Sequence, residues 1–500
     1  MRLTRPFAVL LAVAAVLGGA VAVTAAAQPA APTAARGSGG ATVPVERLTL
    51  VCPGAVTRAD VQQAYVTAIS PEGGDGTLRV EALGAAPDAK PLLAAPASRP
   101  DGPVTLRYPV PAAGPSTLVV QATGALARGL TADVSVRASA GAARGRSNVS
   151  CTAPQPDAWF VGGGATVGRR SALYLSNTDA TAATVDVTVF TPTGAQQPAA
   201  AQGLLVPAGQ QRVLALDALV PGTAATAVAV SSVSGRVASA LADVVVNGLD
   251  PGGVDWVPPS VEPARSLVIP GVPGDADAKS VLQLVAPGPG DAVVHLRLLT
   301  GEGSIVPLGI DTLQVPAGQL VEVPLDKVKP QGGYAIEADA DQPMVGGVRT
   351  VRAGQYPDFA YTAAAAALPG AAAVTDVEAS VRVSTVLLLT APGDTDVSAT
   401  LTTLPPAGSK PPAVPKPVTV KVPAGRTTVV QLGVSGYRVA AVVTPAAGAG
   451  PLYVAWLTTE QGPRGPLITG GPVVASPATM RVPAVLPDPM AGLGAGSATG

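Results

Sequence analysis

Charge is scarce in this 500-residue sequence: Asp, Glu, Lys and Arg make up 13% of it, against roughly a quarter in an ordinary globular chain. The 32 basic and 33 acidic residues nearly cancel, leaving a formal net charge of −1. Basic residues cluster no further than pairs such as Arg169-Arg170, so the concentrated positive field that nucleic acid binding needs is missing. Histidine occurs once, at His295. In Ala292–Leu298 it shares a strand face with Val293 and Arg297, opposite Val294, Leu296 and Leu298, a pattern that predicts a solvent-facing side chain. One such histidine with no nearby cysteine makes no zinc site and offers a poor base for a Ser/His/Asp triad. The nucleophile elbow, the H-E-x-x-H helix and the phosphate-binding P-loop have no counterpart. Gly162-Gly163-Gly164 and Gly168 lack the spacing and the strand–helix setting of a dinucleotide fingerprint, and read as an interdomain turn. Asp275 and Asp277, and the alternating Glu337, Asp339 and Asp341, read as solvated strand edge in preference to a glycosidase pair or a calcium site. No catalytic residue, metal or cofactor is expected, and the chain is not expected to be an enzyme.

Glycine and proline are abundant instead, 57 and 52 residues, alongside a 47% hydrophobic content. That mixture supplies core material and forbids long helices, so it predicts short strands joined by turns. The length implies several domains. Two positive charges in Met1–Arg5, an uncharged run from Phe7 to Val23 and Ala25-Ala26-Ala27 before Gln28 read as a signal peptide over 1–27. If it stays uncleaved, residues 7–23 are the only expected membrane contact. Residues 28–43, rich in Ala, Pro, Gly and Ser, read as a flexible linker. In an exported chain the two cysteines, Cys52 and Cys151, are expected to form a disulfide, bounding a first domain at 44–155.

After Cys151 the chain repeats itself. Val-Pro-Ala-Gly recurs at Val206–Gly209, Val315–Gly318 and Val422–Gly425, one domain length apart, which predicts three further domains at 156–260, 261–368 and 369–475 before a low-complexity tail at 476–500. Pro presets φ and Gly permits a positive one, so the motif is turn chemistry. Upstream of each turn lie paired apolar runs, Ser171–Asn177 with Ala183–Phe190, Ser280–Ala286 with Asp291–Leu298, and Ser384–Thr390 with Thr395–Leu401, each pair reading as a hairpin. Six or seven short strands per hundred residues is the rhythm of an immunoglobulin-like sandwich. The expected architecture is all-β: about four tandem sandwiches in a rod, joined at segments of few contacts such as Pro251-Gly252-Gly253 and Leu368-Pro369-Gly370.

An early Val51-Cys52-Pro53, Cys151 before Trp159-Phe160-x-Gly162-Gly163-Gly164, then Leu173, Leu175 and Asn177, then Ala183-Thr184-Val185 and Val187 together resemble an actinobacterial family of exported proteins of unknown function. The resemblance covers most of the chain after residue 27. It implies tandem β domains and a location outside the cytoplasm, and it implies no activity and no functional residues. Thr178 departs from it, standing where Pro would follow Asn177, which affects only a turn.

Aromatic residues are 3% of the chain, and three mark the domain junctions: Trp159, Trp256 and Phe359. They are candidates either for interdomain packing or for stacking on sugar rings. Two functions follow from different classes. One is a non-catalytic structural or interaction scaffold whose partner is a protein or polysaccharide of the cell envelope. The other is a glycan-binding module for wall or capsular polysaccharide.

Overall fold

The computed structural model describes residues 41–54, 63–86, 88–95, 102–111, 117–326, 328, 330–405 and 415–482. The signal-peptide reading of 1–27, most of the 28–43 linker and the tail beyond 482 lie outside them. Two pieces of those segments are strands: Ala41–Pro44 pairs with Thr479–Val482 in a two-stranded ribbon. Linker composition at 41–43 and tail composition at 479–482 thus mislead, because Thr42, Val43, Thr479 and Val482 are β-branched residues with backbone free to pair.

Residues 44–478 form a compact unit built almost wholly of antiparallel strands packed as all-β sandwiches. It holds four large apolar cores, centred in turn on Val66 and Val120, on Leu173 and Val187, on Leu282 and Ile336, and on Leu387 and Val443. In the first, Cys52 and Cys151 are joined as a disulfide, and beside it Val51 and Thr152 pair across the end of the sandwich.

The paired runs upstream of the Val-Pro-Ala-Gly turns do not form hairpins. Arg169–Ser176 lies in the sheet with Gln211–Ala215, Ala238–Asn247 and Asp250–Val257, whereas Ala183–Thr191 lies in the facing sheet with Asp157–Val161 and Ala227–Ser234. The reason is burial. Leu173 and Leu175 on one strand and Val185, Val187 and Val189 on the other are all fully buried in one core, so the two apolar faces look at each other across the sandwich. Asn177 stabilises the crossing: its Nδ2 donates to the carbonyls of Thr181 and Val206 at 2.8 and 3.0 Å. In the third sandwich a single strand, Gly333–Arg352, crosses between the layers: its first half pairs in one sheet and its second half in the other.

Gly209, Gly318 and Gly425 adopt φ of 64°, 70° and 65°, as the turn chemistry requires. Each turn also docks on a turn of the preceding sandwich. A Cβ added to Gly84 would lie 2.6 Å from the Gly209 carbonyl oxygen, one added to Gly318 would lie 3.7 Å from Ala195, and the N–H of Thr427 donates to the Thr300 carbonyl at 3.0 Å.

The sandwiches close into a ring within this unit, in place of the expected rod. The closing strands Gly145–Ser150, Asp250–Val257, Asp358–Ala363 and Gly465–Pro472 pack in cyclic order, the fourth against the first. Pro251-Gly252-Gly253, expected as a joint of few contacts, is buried in the second of these. A Cβ on Gly253 would fall 2.7 Å from an Asp358 carboxylate oxygen and 2.8 Å from the Phe359 ring, so glycine here admits a neighbouring backbone. Leu368 N–H is bonded to the Leu452 carbonyl at 2.8 Å.

Chain connectivity keeps the first three interfaces together, but the contact of fourth with first is held by non-covalent bonds alone, among them the Asn148 N–H donated to the Thr469 hydroxyl at 3.1 Å and the Arg144 guanidinium donated to the Gly465 carbonyl at 2.7 Å. Apolar packing of Ile69 against Ala373, Leu404, Ala440 and Val442 supplies part. An ionic network supplies another part: Arg146, 3% exposed, reaches Asp376, Glu378 and Glu460 at 3.2, 2.9 and 3.2 Å, and Arg137 Nε donates to Glu460 at 3.0 Å. Removing one member of a buried ion network strands the others without compensation, at a cost of about 3–5 kcal/mol. Arg146→Ala is expected to lower unfolding free energy by that order and to speed amide exchange in Gly145–Ser150 and Ala372–Glu378. Unchanged stability and exchange would show that the apolar contacts suffice for closure.

Candidate functional site: the hub and the cavity beside it

Glycines 145, 252, 253, 470 and 471 thin the closing strands where they converge, and two carboxylates occupy the meeting point. Asp358 and Asp255 are fully buried. The N–H groups of Arg146 and Ile468 donate to Asp358 Oδ2 at 3.3 and 3.0 Å, and that of Val254 to Oδ1 at 3.3 Å. One side chain of the third sandwich therefore collects donors from the first, second and fourth. Asp255 accepts from Tyr361 N–H at 3.3 Å and from the Thr469 hydroxyl at 3.2 Å, and that hydroxyl oxygen accepts from Asn148 N–H at 3.1 Å. Burial pushes the Asp358 carboxyl up to about 7 against the pull of its backbone donors. It raises Asp255 well above the carboxylate range, with Asp358 adding to the rise.

A third buried acid fastens the second sandwich to the third. Arg169 donates to Asp243 Oδ2 at 2.8 Å, and the Tyr361 hydroxyl donates to the same oxygen at 2.7 Å. Ser171 donates to Oδ1 at 2.7 Å. Burial alone would raise the Asp243 carboxyl, but Arg169 outweighs it and holds it below the ordinary value. The Gly162-Gly163-Gly164 segment packs here, with the N–H of Gly163 donating to the Tyr361 hydroxyl at 3.3 Å and that of Gly164 to Ser171 Oγ at 2.9 Å.

On leaving the hub, the four closing strands run into segments that surround a cavity of about 370 Å³. Its wall comes from 151–160, 259–262, 364–369 and 472–477, with Leu48, Leu50, Val237 and Ser239 from neighbouring strands. The wall carries two charged side chains, Asp157 and Glu262, both exposed, and no basic residue. The hydroxyls of Ser239 and Ser260 are buried without a hydrogen-bond partner.

Of the residues singled out in the sequence, Cys151 and Trp159 line this cavity. Trp159 is half-buried, 5.8 Å from the Phe190 ring centre. Trp256, 2% exposed, belongs to the core of the first sandwich, beside Tyr174 at 5.3 Å. Phe359, fully buried, belongs with Tyr361 to the core of the second. Neither Trp256 nor Phe359 shows a ring face to solvent. His295 is exposed, its Nδ1 3.2 Å from the Thr312 hydroxyl. Asp275 pairs with Arg352, Glu337 with Arg297, and Asp341 accepts the Val293 N–H. Among the described residues no three His, Cys, Asp or Glu side chains converge on a metal-sized space, and no helix is long and apolar enough to cross a membrane. The hub acids went unrecognised in the sequence. Their signal was an Asp set directly before an aromatic inside an apolar strand, as in Asp255-Trp256 and Asp358-Phe359.

A family model described as "Family of unknown function (DUF5719)" matches residues 109–433. The chain belongs to that family. No curated protein matches it. Among solved structures, "Crystal Structure of Thermotoga maritima 1070" is 16% identical, covering 21% of this chain and 96% of that one at a TM-score of 0.19. "Crystal Structure of Streptomyces avermitilis alpha-L-rhamnosidase complexed with L-rhamnose" is 11% identical, covering 86% of this chain and 55% of that one at 0.12. At such TM-scores neither likeness carries weight.

The two kinds of acid give the ring an opposed pH response. Asp358, with its folded value at about 7, holds its proton more tightly folded than unfolded, so its contribution falls as pH rises from about 4 to about 7. For Asp376 and Glu460, burial would raise both carboxyls, but Arg146 with Arg438 or Arg137 holds them low. Their contribution is present above the ordinary carboxylate range and lost as pH falls through the depressed values. Thermal stability is expected to peak near pH 4–5 and decline toward 7, with Asp255, raised in the same direction, adding to the decline. A melting temperature that rises steadily from pH 4 to 7 would show that Asp358 is ionised at no cost.

Proposed function

We propose that the protein is a non-catalytic scaffold of the cell envelope, a closed set of β-sandwiches offering its outer loops and edges to an envelope protein or polysaccharide. The observation that carries this reading is the use made of buried charge. Asp255, Asp358, Asp243, Arg146 and Glu460, the kinds of group that elsewhere perform acid–base chemistry, each bond a neighbouring sandwich. Work outside the cytoplasm is supported by the disulfide in a compartment-dependent way, by the signal-like 1–27 segment and by the likeness to an actinobacterial exported family. A second reading, glycan binding, rests on Trp159, the junction aromatic that keeps part of its surface accessible.

The test is fractionation of the native cell followed by cross-linking. The mature chain is expected outside the cytoplasm, beginning near Gln28, in the envelope fraction, and cross-linked through exposed residues to a recurring partner while wall fragments incubated with it keep their masses. Release of smaller fragments by the purified protein would overturn the non-catalytic reading. Envelope binding that soluble wall sugar abolishes, and that Trp159→Ala abolishes without unfolding, would favour the glycan reading.

A further inference from the structure

The segments that link the sandwiches leave the space between them unfilled, and the lining of that space is chemically one-sided. Leu50, Phe160, Val237 and Val473 are buried apolar wall, each 6% exposed or less. The exposed part of the lining carries Asp157, Glu262 and the half-buried Trp159. We propose that this cavity binds a small apolar monocation, an alkyl- or arylammonium compound, with its hydrocarbon body against the buried wall and its cationic head at the two carboxylates and the Trp159 ring.

Size, charge and polarity each narrow the choice. A volume of about 370 Å³ lies at the lower end of the roughly 300–1,000 Å³ range of small-molecule pockets. An anion such as a fatty acid meets two carboxylates and no Lys, Arg or His in the lining. The Asp157 carboxylate already accepts the Ser231 hydroxyl at 2.8 Å, which orders it without neutralising it. A sugar would bury most of its hydroxyls against Leu, Val and Phe side chains that pair with none of them, Ser239 and Ser260 offering only two partners. A cation gains from both ends: its alkyl part covers apolar surface and its head is attracted by carboxylates and by the face of an indole. Ser239 and Ser260, whose hydroxyls have no partner, leave the wall with hydrogen-bonding capacity for an ammonium N–H.

The probes are decylammonium, decanoate and 1-decanol, each below its aggregation threshold, titrated into the purified full chain by calorimetry and tryptophan emission. Saturable one-to-one binding of the cation is expected, with decanoate weaker by about fivefold, the order of a single lost charge contact. Glu262→Lys, at an exposed position, should weaken the cation about fivefold and leave decanol unchanged. Val237→Phe should exclude all three by filling the wall; if that variant does not fold, the charge variant and the ligand series still decide the matter. Equal affinity for decanoate, no saturable binding of the cation, or a cation affinity untouched by Glu262→Lys would overturn the proposal.

Discussion

The bonding of the Asp358 carboxylate is the constraint on which the rest of the ring depends. Four chain segments from four sandwiches reach one point, and three of them bring backbone N–H groups that a converging bundle of strand edges leaves without ladder partners, while the fourth brings the acceptor. Buried donors of that kind cost on the order of 1–3 kcal/mol each if unmet. A carboxylate has two oxygens and several lone pairs, so a single side chain satisfies what no single amide or hydroxyl could. Asp255 and Thr469 repeat the device one step away. The glycines around them are the steric counterpart, because strands that share an acceptor must approach to backbone distance.

From the hub outward, each interface is made in its own way. The second sandwich joins the first through Trp256, whose ring sits in its neighbour's core. The third joins the second through Phe359, Tyr361 and the Arg169–Asp243 pair. The fourth joins the third through the small apolar cluster of Ala360, Leu388, Leu457 and Ile468, and the first through Arg146 and its acids. The repeated turns set on preceding turns give these unlike contacts a common register. Functionally, this places much buried charge inside the joints, while the cavity of about 370 Å³ falls where the joints' connecting segments leave room.

Strand content, the disulfide and the turn glycines were legible because each is a local matter: alternation at Val185, Val187 and Val189, two cysteines in an exported chain, Gly after Val-Pro-Ala. What failed to show was relation between segments. Two adjacent apolar runs look alike whether they pair side by side or face each other across a core, and the distinction lies in which sheet Ala227–Ser234 and Ala238–Asn247 later join. Pro251-Gly252-Gly253 has the composition of a loop, and only the approach of Asp358 and Phe359 reveals that its glycines are there for clearance. The cavity was invisible for the same reason: its walls come from four segments spread over more than three hundred residues, and nothing in any one of them signals the others.

Closure by a fourth contact unlike the first three bears on solubility. Every interface in the ring is head-to-tail, joining different surfaces of successive units, and head-to-tail contacts that do not close propagate without limit. A chain opened between its first and fourth sandwiches would present two surfaces shaped for each other and free to find a second molecule. The Arg146 network, with the Ile69 cluster beside it, is what keeps those two surfaces satisfied within one chain.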